Sequence, residues 1–230
     1  MSKNLKLKDI SEKWFLESIK NEYSYHFTWL GLPIIQYPQD IIALQEIIWK
    51  VKPDLVIETG VARGGSIIFS ASLLELIGKG EVIGIDINIK KENKKVIEKH
   101  PLSKRIHLIE GSSTDKEIIN QIRKFVQNKK KILVVLDSNH THKHVLKELK
   151  IYSSFVSKNS YLIVFDTVVD ELPDEVLKNR PWGKNNNPKS AVKAFLKIND
   201  RFKIDKNIDK KLLLTVAPMG YLKCIKSNKM

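Results

Sequence analysis

The chain has 230 residues, 42% hydrophobic and 29% charged, which suits one globular domain and excludes both a disordered tail and a large multi-module assembly. Its 40 basic and 26 acidic residues give a formal charge of +14, yet only five of the cations are arginines (Arg63, Arg105, Arg123, Arg180, Arg201). Lysine is a poorer fork than arginine for phosphate and base edges, so the surplus reads as solvated surface, open to peripheral contact with an anionic membrane, and no nucleic-acid partner is expected. The single Cys224 excludes an internal disulfide or cysteine zinc site, the first twenty residues are broken by charge, and the longest apolar runs are five residues. A cytoplasmic protein with no signal peptide and no transmembrane segment is expected.

Residues 1–50 hold Trp14, Trp29 and Trp49, Pro33 and Pro38, and an apolar helix over 41–51. They are expected to form an N-terminal helical cap, its aromatic surface suited to a homo-oligomer contact. From residue 51 onward short apolar runs alternate with amphipathic ones. Strands are expected at 55–57, 81–85, 105–109, 131–136 and 160–165, and helices near 65–78, 91–99, 115–128 and 141–156. The strands are too uniformly apolar to face water on either side, so the pattern predicts a doubly wound, mostly parallel α/β sheet. A long loop over 167–188, with three prolines and Asn185-Asn186-Asn187, interrupts the rhythm. Loops of that length in compact domains are usually functional. A helix over 190–199 follows, and runs at 211–216 and 221–225, separated by Pro218-Met219-Gly220, are expected to pair as an antiparallel hairpin at the sheet edge.

The first predicted strand runs into Glu58-Thr59-Gly60-Val61-Ala62-Arg63-Gly64-Gly65-Ser66 and then a helix. Glycines permit a tight turn and close backbone approach, and a helix N-terminus offers unpaired amides. A Walker loop would need a lysine before Ser66, and a dinucleotide fingerprint would need glycine at Ala62. The remaining pattern is the looser turn of S-adenosylmethionine (SAM) sites, or else a helix-opening loop that binds no ligand. Asp86 ends the next strand, where a carboxylate can accept from both ribose hydroxyls of a nucleoside, or cap the following helix.

After the fourth predicted strand come Asp137-Ser138-Asn139-His140-Thr141-His142-Lys143-His144, and Asp166 follows the fifth. Neighbouring parallel strands lie about 4.8 Å apart, so the two carboxylates converge at the carboxyl edge, where they suit a hard divalent cation such as Mg²⁺ or else cap helices. His140, still at the strand end, is the candidate general base. With a helix from 141, His140 and His144 are expected to share a face, and a two-histidine-one-carboxylate iron site (His140, His144, Asp137) is a rival.

Several segments together resemble the SAM-dependent methyltransferases of the cephalosporin hydroxylase and rhamnosyl O-methyltransferase family. They are Trp29-Leu30-Gly31-Leu32-Pro33-Ile34-Ile35-Gln36-Tyr37-Pro38-Gln39-Asp40, the glycine turn, the Asp137 to His144 cluster, Val164-Phe165-Asp166-Thr167, Arg180-Pro181-Trp182-Gly183 with Asn186-Asn187-Pro188-Lys189, and Ala217-Pro218-Met219-Gly220-Tyr221-Leu222. The resemblance implies a Rossmann-like class I methyltransferase domain over 51–230 behind the cap, and O-methylation of a sugar hydroxyl in a glycan, glycolipid or related small molecule. It implies that Glu58, Gly60, Arg63, Gly64, Gly65 and Ser66 approach SAM, that Asp86 holds its ribose, and that Gly111, Ser112 and Ser113 lie near adenine. It further implies that Asp137 and Asp166 bind metal, with Asp137 and His140 at the chemistry. Relatives can carry Glu-Asp where this chain has Phe165-Asp166. Water, Thr167, Asp170 or Glu171 would then complete the metal's shell. The remaining alternatives are a nucleic-acid methyltransferase and a SAM-binding subunit without chemistry.

Overall fold

Strands apolar on both faces need cover on both faces. The computed structural model, which describes residues 4–228, provides it. Helix α1 (Leu5–Lys20) is capped by Asn4, whose side chain accepts from Leu7 N. A 3-10 turn (Tyr23–His26) leads to a small antiparallel pair, β1 (Thr28–Trp29) and β2 (Leu32–Pro33). Helix α2 (Pro38–Val51) starts on a proline, whose missing amide costs nothing in the first turn. Then come β3 (Leu55–Thr59), α3 (Gly65–Ile77), β4 (Glu81–Asp86), α4 (Lys91–Lys99), β5 (Ile106–Glu110), α5 (Lys116–Val126), β6 (Ile132–Leu136), α6 (His142–Tyr152) and β7 (Tyr161–Val164). The chain finishes with α7 (Pro188–Ile198), β8 (Phe202–Ile204), α8 (Lys206–Leu212) and β9 (Tyr221–Cys224).

The main sheet runs β5-β4-β3-β6-β7-β9-β8, parallel from β5 to β7 and antiparallel where β9 joins β7 and β8. Its order reverses between β3 and β6, and ligands of doubly wound sheets bind in the crevice outside the carboxyl ends at that reversal. Side-chain alternation along the strands feeds two cores. Val56, Val135 and Ile163 enter one, with Phe15, Ile48, Ile67 and Leu74. Leu55, Ile57 and Val134 enter the other, with Ile122, Leu149 and Phe195. Each such fully buried aliphatic side chain is worth roughly 1.5–3 kcal/mol. Phe15, Leu32, Ile34 and Tyr37 share the first core with the sheet, so the segment before α2 is packed onto the sheet face that carries α3.

The antiparallel edge forms, but not from the expected partners. Residues 211–216 are not a strand: α8 runs to Leu212 and Leu213 takes a left-handed φ of 64°. The strand that pairs with β9 is β8, in the register Lys203 opposite Lys223. A buried acid explains the difference. Asp40 of α2, fully enclosed, accepts from the Thr215 hydroxyl, from Val216 N at 2.9 Å and from the Tyr221 hydroxyl at 2.6 Å. Those bonds turn residues 215–216 inward to satisfy a carboxylate, which a strand at the edge would leave unpaired. Burial pushes the Asp40 carboxyl up to about 6 despite its three donors.

Candidate active site

The glycine turn is shaped first by packing. Gly60 has φ +95°, and a Cβ there would lie 2.1 Å from the Asp137 carbonyl oxygen. Gly64, at φ +88°, sits against Ile97, and a Cβ on Gly65 would meet the Pro33 carbonyl oxygen at 2.3 Å. The three glycines thus let β6, α4 and the β2 segment close on the turn, and their other side lines a cavity of about 320 Å³. Val61, Ala62, Arg63, Ser66 and Asp86 line it too, with Ser24, Tyr25, Gln36 and Tyr37 from the N-terminal segment. The amides at the start of α3 have no partner within the helix. Asp86 closes the turn itself, accepting from Val61 N at 2.8 Å and Ala62 N at 3.2 Å. Its other oxygen accepts from Asn88 N at 3.1 Å, and a carboxylate still keeps lone-pair capacity after those three bonds.

Gly111, Ser112 and Ser113 are not among this cavity's lining residues. Ser113 is buried, its hydroxyl 3.2 Å from His144 Nε2 and its carbonyl accepting from the Tyr152 hydroxyl. Glu58 is also withdrawn, 2% exposed, with one carboxylate oxygen unpartnered. Desolvation pushes its carboxyl up to about 7, only partly offset by the Ser66 hydroxyl.

At the cavity's far end the structure brings together Asp137, His140 and Asp166. One ligand atom from each lies within 4.8 Å of the others, and His140 Nε2 is 3.2 Å from Asp166 Oδ2. Asp137 follows β6. Asp166 sits just past β7 in a left-handed turn, φ 54°, that swings its side chain back to the crevice. Gln36, a residue that the sequence reading assigned no role, donates from Nε2 to Asp137 Oδ2 at 2.8 Å. Its signal was faint: one amide between two isoleucines and Tyr37-Pro38. The Asp137 carboxyl is raised well above the usual carboxylate range, first by burial and then by Asp166, Glu58, Glu148 and Asp40. Asp137, Asp166 and His140, with no lysine or arginine among them, form a donor set that suits a cation.

Three expectations change here. His140 precedes α6 and does not share a helical face with His144. His144 instead meets Ser113, Ser138 (3.3 Å) and the buried Glu148 (3.4 Å), so the two-histidine iron site is not assembled. Nor do Thr167, Asp170 and Glu171 reach the cluster: Thr167 donates to the Pro218 carbonyl, Asp170 pairs with Asn187 and Lys193, and Glu171 with Lys189. Phe165 is buried in the first core. The third cluster member is His140.

A second cavity, about 690 Å³, adjoins the first and shares Ser24, Tyr25, Tyr37, His140, Asp166 and Val216 with it. Its remaining wall comes chiefly from the 167–182 segment, including Val168, Leu172, Arg180 and Trp182. That segment is not featureless, for it contains two 3-10 turns, Thr167–Glu171 and Asp174–Leu177.

Glu58 allows a pH test. Its folded-state carboxyl is raised above the ordinary value, so protonation favours the fold. The stabilisation is complete below pH ~4.5 and is lost as pH rises through about 7. The ligand-free protein is expected to lose on the order of 3 kcal/mol from this group between pH 5 and 8. Glu58→Gln should flatten that slope in urea unfolding. A slope unchanged by the substitution would show that Glu58 is not its source.

The sequence profile of the rhamnosyl O-methyltransferase/CmcI family matches residues 21–225. Rhamnosyl O-methyltransferase of Mycobacterium tuberculosis is 31% identical over 201 residues, covering 85% of this chain and 77% of the relative. The Mycobacterium leprae protein of the same name is 32% identical over 200 residues, covering 85% and 82%. In fold, CmcI bound to Mg and SAM superposes with a TM-score of 0.59 at 17% identity, over 88% of this chain and 78% of that one. An O-methyltransferase of Bacillus cereus in complex with S-adenosylhomocysteine (SAH) does so at 0.54 and 15%, over 84% and 80%. Among the described residues no helix is long and apolar enough to cross a membrane. The fold is the Rossmann-like one of class I methyltransferases, and the chain belongs to the rhamnosyl O-methyltransferase/CmcI family, as an O-methyltransferase.

Proposed function

We propose that the protein transfers a methyl group from SAM to a sugar hydroxyl of a glycan, glycolipid or related small molecule, assisted by a divalent cation such as Mg²⁺. The observation that carries this reading is the Asp137, His140 and Asp166 cluster at the junction of two cavities, one bordered by the glycine turn and the other roomy enough for an acceptor. The names of the relatives, and CmcI's complex with Mg and SAM, support it.

The residues fit both groups. The glycine-turn amides and Arg63 suit the cofactor's anionic end, and Asp86 suits its ribose. Asp137 and Asp166 are the carboxylates for the cation. Bound SAM supplies a strongly electrophilic methyl, and a bound divalent cation lowers the pKa of a hydroxyl it coordinates. His140 is placed to take the hydroxyl proton on a ring nitrogen, and Asp166, 3.2 Å from its Nε2, then stabilises the imidazolium. Tyr25, Tyr37 and Trp182 narrow the crevice against water.

The position of His140 inside the cluster favours a second role, as metal ligand. His140→Ala separates the two. As base, its loss should lower kcat roughly 10²- to 10⁴-fold with SAM affinity and Mg²⁺ requirement unchanged. As ligand, its loss should raise the Mg²⁺ concentration needed for half-maximal rate. Full activity of EDTA-treated enzyme would remove the metal from the reading altogether.

A further inference from the structure

The second cavity carries an arginine that forms no ion pair among the described residues. Arg180 lies with its guanidinium 5.5 Å from the Trp182 ring, and Trp182 meets the His140 ring edge-on at 4.7 Å. All three side chains line the cavity. Among the described residues no carboxylate ion-pairs with Arg180. The cavity's other cation, Lys20, is already paired with Glu17 at 3.0 Å. Glu22 and Glu175 also border the cavity, and neither forms an ion pair with Arg180. The guanidinium carbon lies over the ring, and the exposed side chain makes no hydrogen bond among the described residues. The in-plane N–H groups remain free for a planar or tetrahedral anion.

The platform is also built to hold still. Asn186 Nδ2 donates to the Pro181 carbonyl at 2.9 Å, and the Gly183 and Asn186 backbones exchange two bonds of 3.0 Å. Asn187, fully buried, donates to the Gly183 carbonyl at 2.8 Å while capping α7. Asn186 Oδ1 in turn accepts from His142 N, the first residue of α6. The asparagine run therefore clamps the Arg180–Trp182 turn to two helix N-termini. Holding a binding group in place before its ligand arrives removes ordering cost from recognition.

We propose that Arg180, lying over Trp182, binds an anionic substituent of the acceptor, so that the methylated compound is an acidic or phosphorylated sugar rather than a neutral one. The inference rests on the methyl-transfer reading only for which cavity takes the acceptor. A carboxylate and a phosphate share the chemistry, and the probes tell them apart.

The test is calorimetric titration of the full chain saturated with SAH and Mg²⁺, using methyl glucoside, methyl glucuronoside and glucose 1-phosphate. The affinity difference is read without turnover, so it is independent of whether any sugar is methylated. An anionic probe is expected to bind about tenfold more tightly than the neutral glucoside, and the better of the two anions names the source. Arg180→Gln should erase the difference, Arg180→Lys should keep part of it, and Lys184→Gln, an exposed neighbour outside the cavity, should leave it intact. Equal affinity for neutral and anionic probes would overturn the proposal. So would no binding of any probe, an unaltered preference in Arg180→Gln, or an equal loss in Lys184→Gln. Failure of methyl transfer to every sugar tried, with the anion preference present, would instead overturn the methyl-transfer reading.

Discussion

Asp137→Asn is expected to abolish methyl transfer while making the metal-free protein more stable. Burial first, and then Asp166, Glu58, Glu148 and Asp40, hold the wild-type carboxyl well above the usual range. In the absence of a cation, its ionised form is therefore a liability to the fold. An asparagine keeps the shape and can still accept from Gln36 Nε2. It removes both the repulsion and the hard oxygen charge a divalent cation requires. Turnover should fall by roughly two orders of magnitude or more. The Tm in EDTA should rise, and the further rise that Mg²⁺ gives the wild type should vanish. A variant that loses activity and also melts earlier in EDTA would show that Asp137 serves folding, not cation binding.

Gly60→Ala should do the reverse and strike the fold itself. A Cβ there lies 2.1 Å from the Asp137 carbonyl oxygen and 3.2 Å from Ser138 N, with φ at +95°. Both neighbours are backbone at the end of β6 and cannot move aside without breaking the strand's register. Strain and overlap together are expected to cost at least about 3 kcal/mol, which for a chain of this size lowers Tm by roughly 6–12 °C. Gly31→Ala is the control, because Gly31 has a similar φ of +92° and nothing within 4 Å of the added carbon. Its cost should be limited to about 1–2 kcal/mol of backbone strain. Equal Tm losses in the two variants, by differential scanning fluorimetry, would dismiss the contact with Asp137 as the cause.

These two substitutions mark where the sequence was readable and where it was not. The five parallel strands and their helices follow from unbroken apolar runs, because burial on both faces leaves little room for another pattern. Asp137, His140 and Asp166 were legible because strand ends at the reversal of a doubly wound sheet have one destination. Gln36, Tyr25 and Tyr37 were not, since nothing local shows that a segment ahead of the first parallel strand will fold back over the crevice. The misplaced edge strand has the same origin. Residues 211–216 have ordinary strand composition, and only Asp40, over 170 residues earlier, turns Thr215 and Val216 inward. Gly60 lines the cavity, and its missing side chain also makes room for the Asp137 backbone. Spacing alone cannot tell which neighbour demands the space. The aromatic contact between His140 and Trp182 was likewise beyond reach, because it depends on where a clamped turn of the 167–188 segment comes to rest.

The two cavities meet at His140 and Asp166, with Tyr25 and Tyr37 on their common border. A single compound joining an adenosine-like half to a sugar-like half would have to thread its linker through that gate. The linker's tolerated length and bulk would then gauge, without any catalysis, how far apart the two cavities lie. A tether too short to pass around the contact between His140 and Asp166 should bind no better than either half alone.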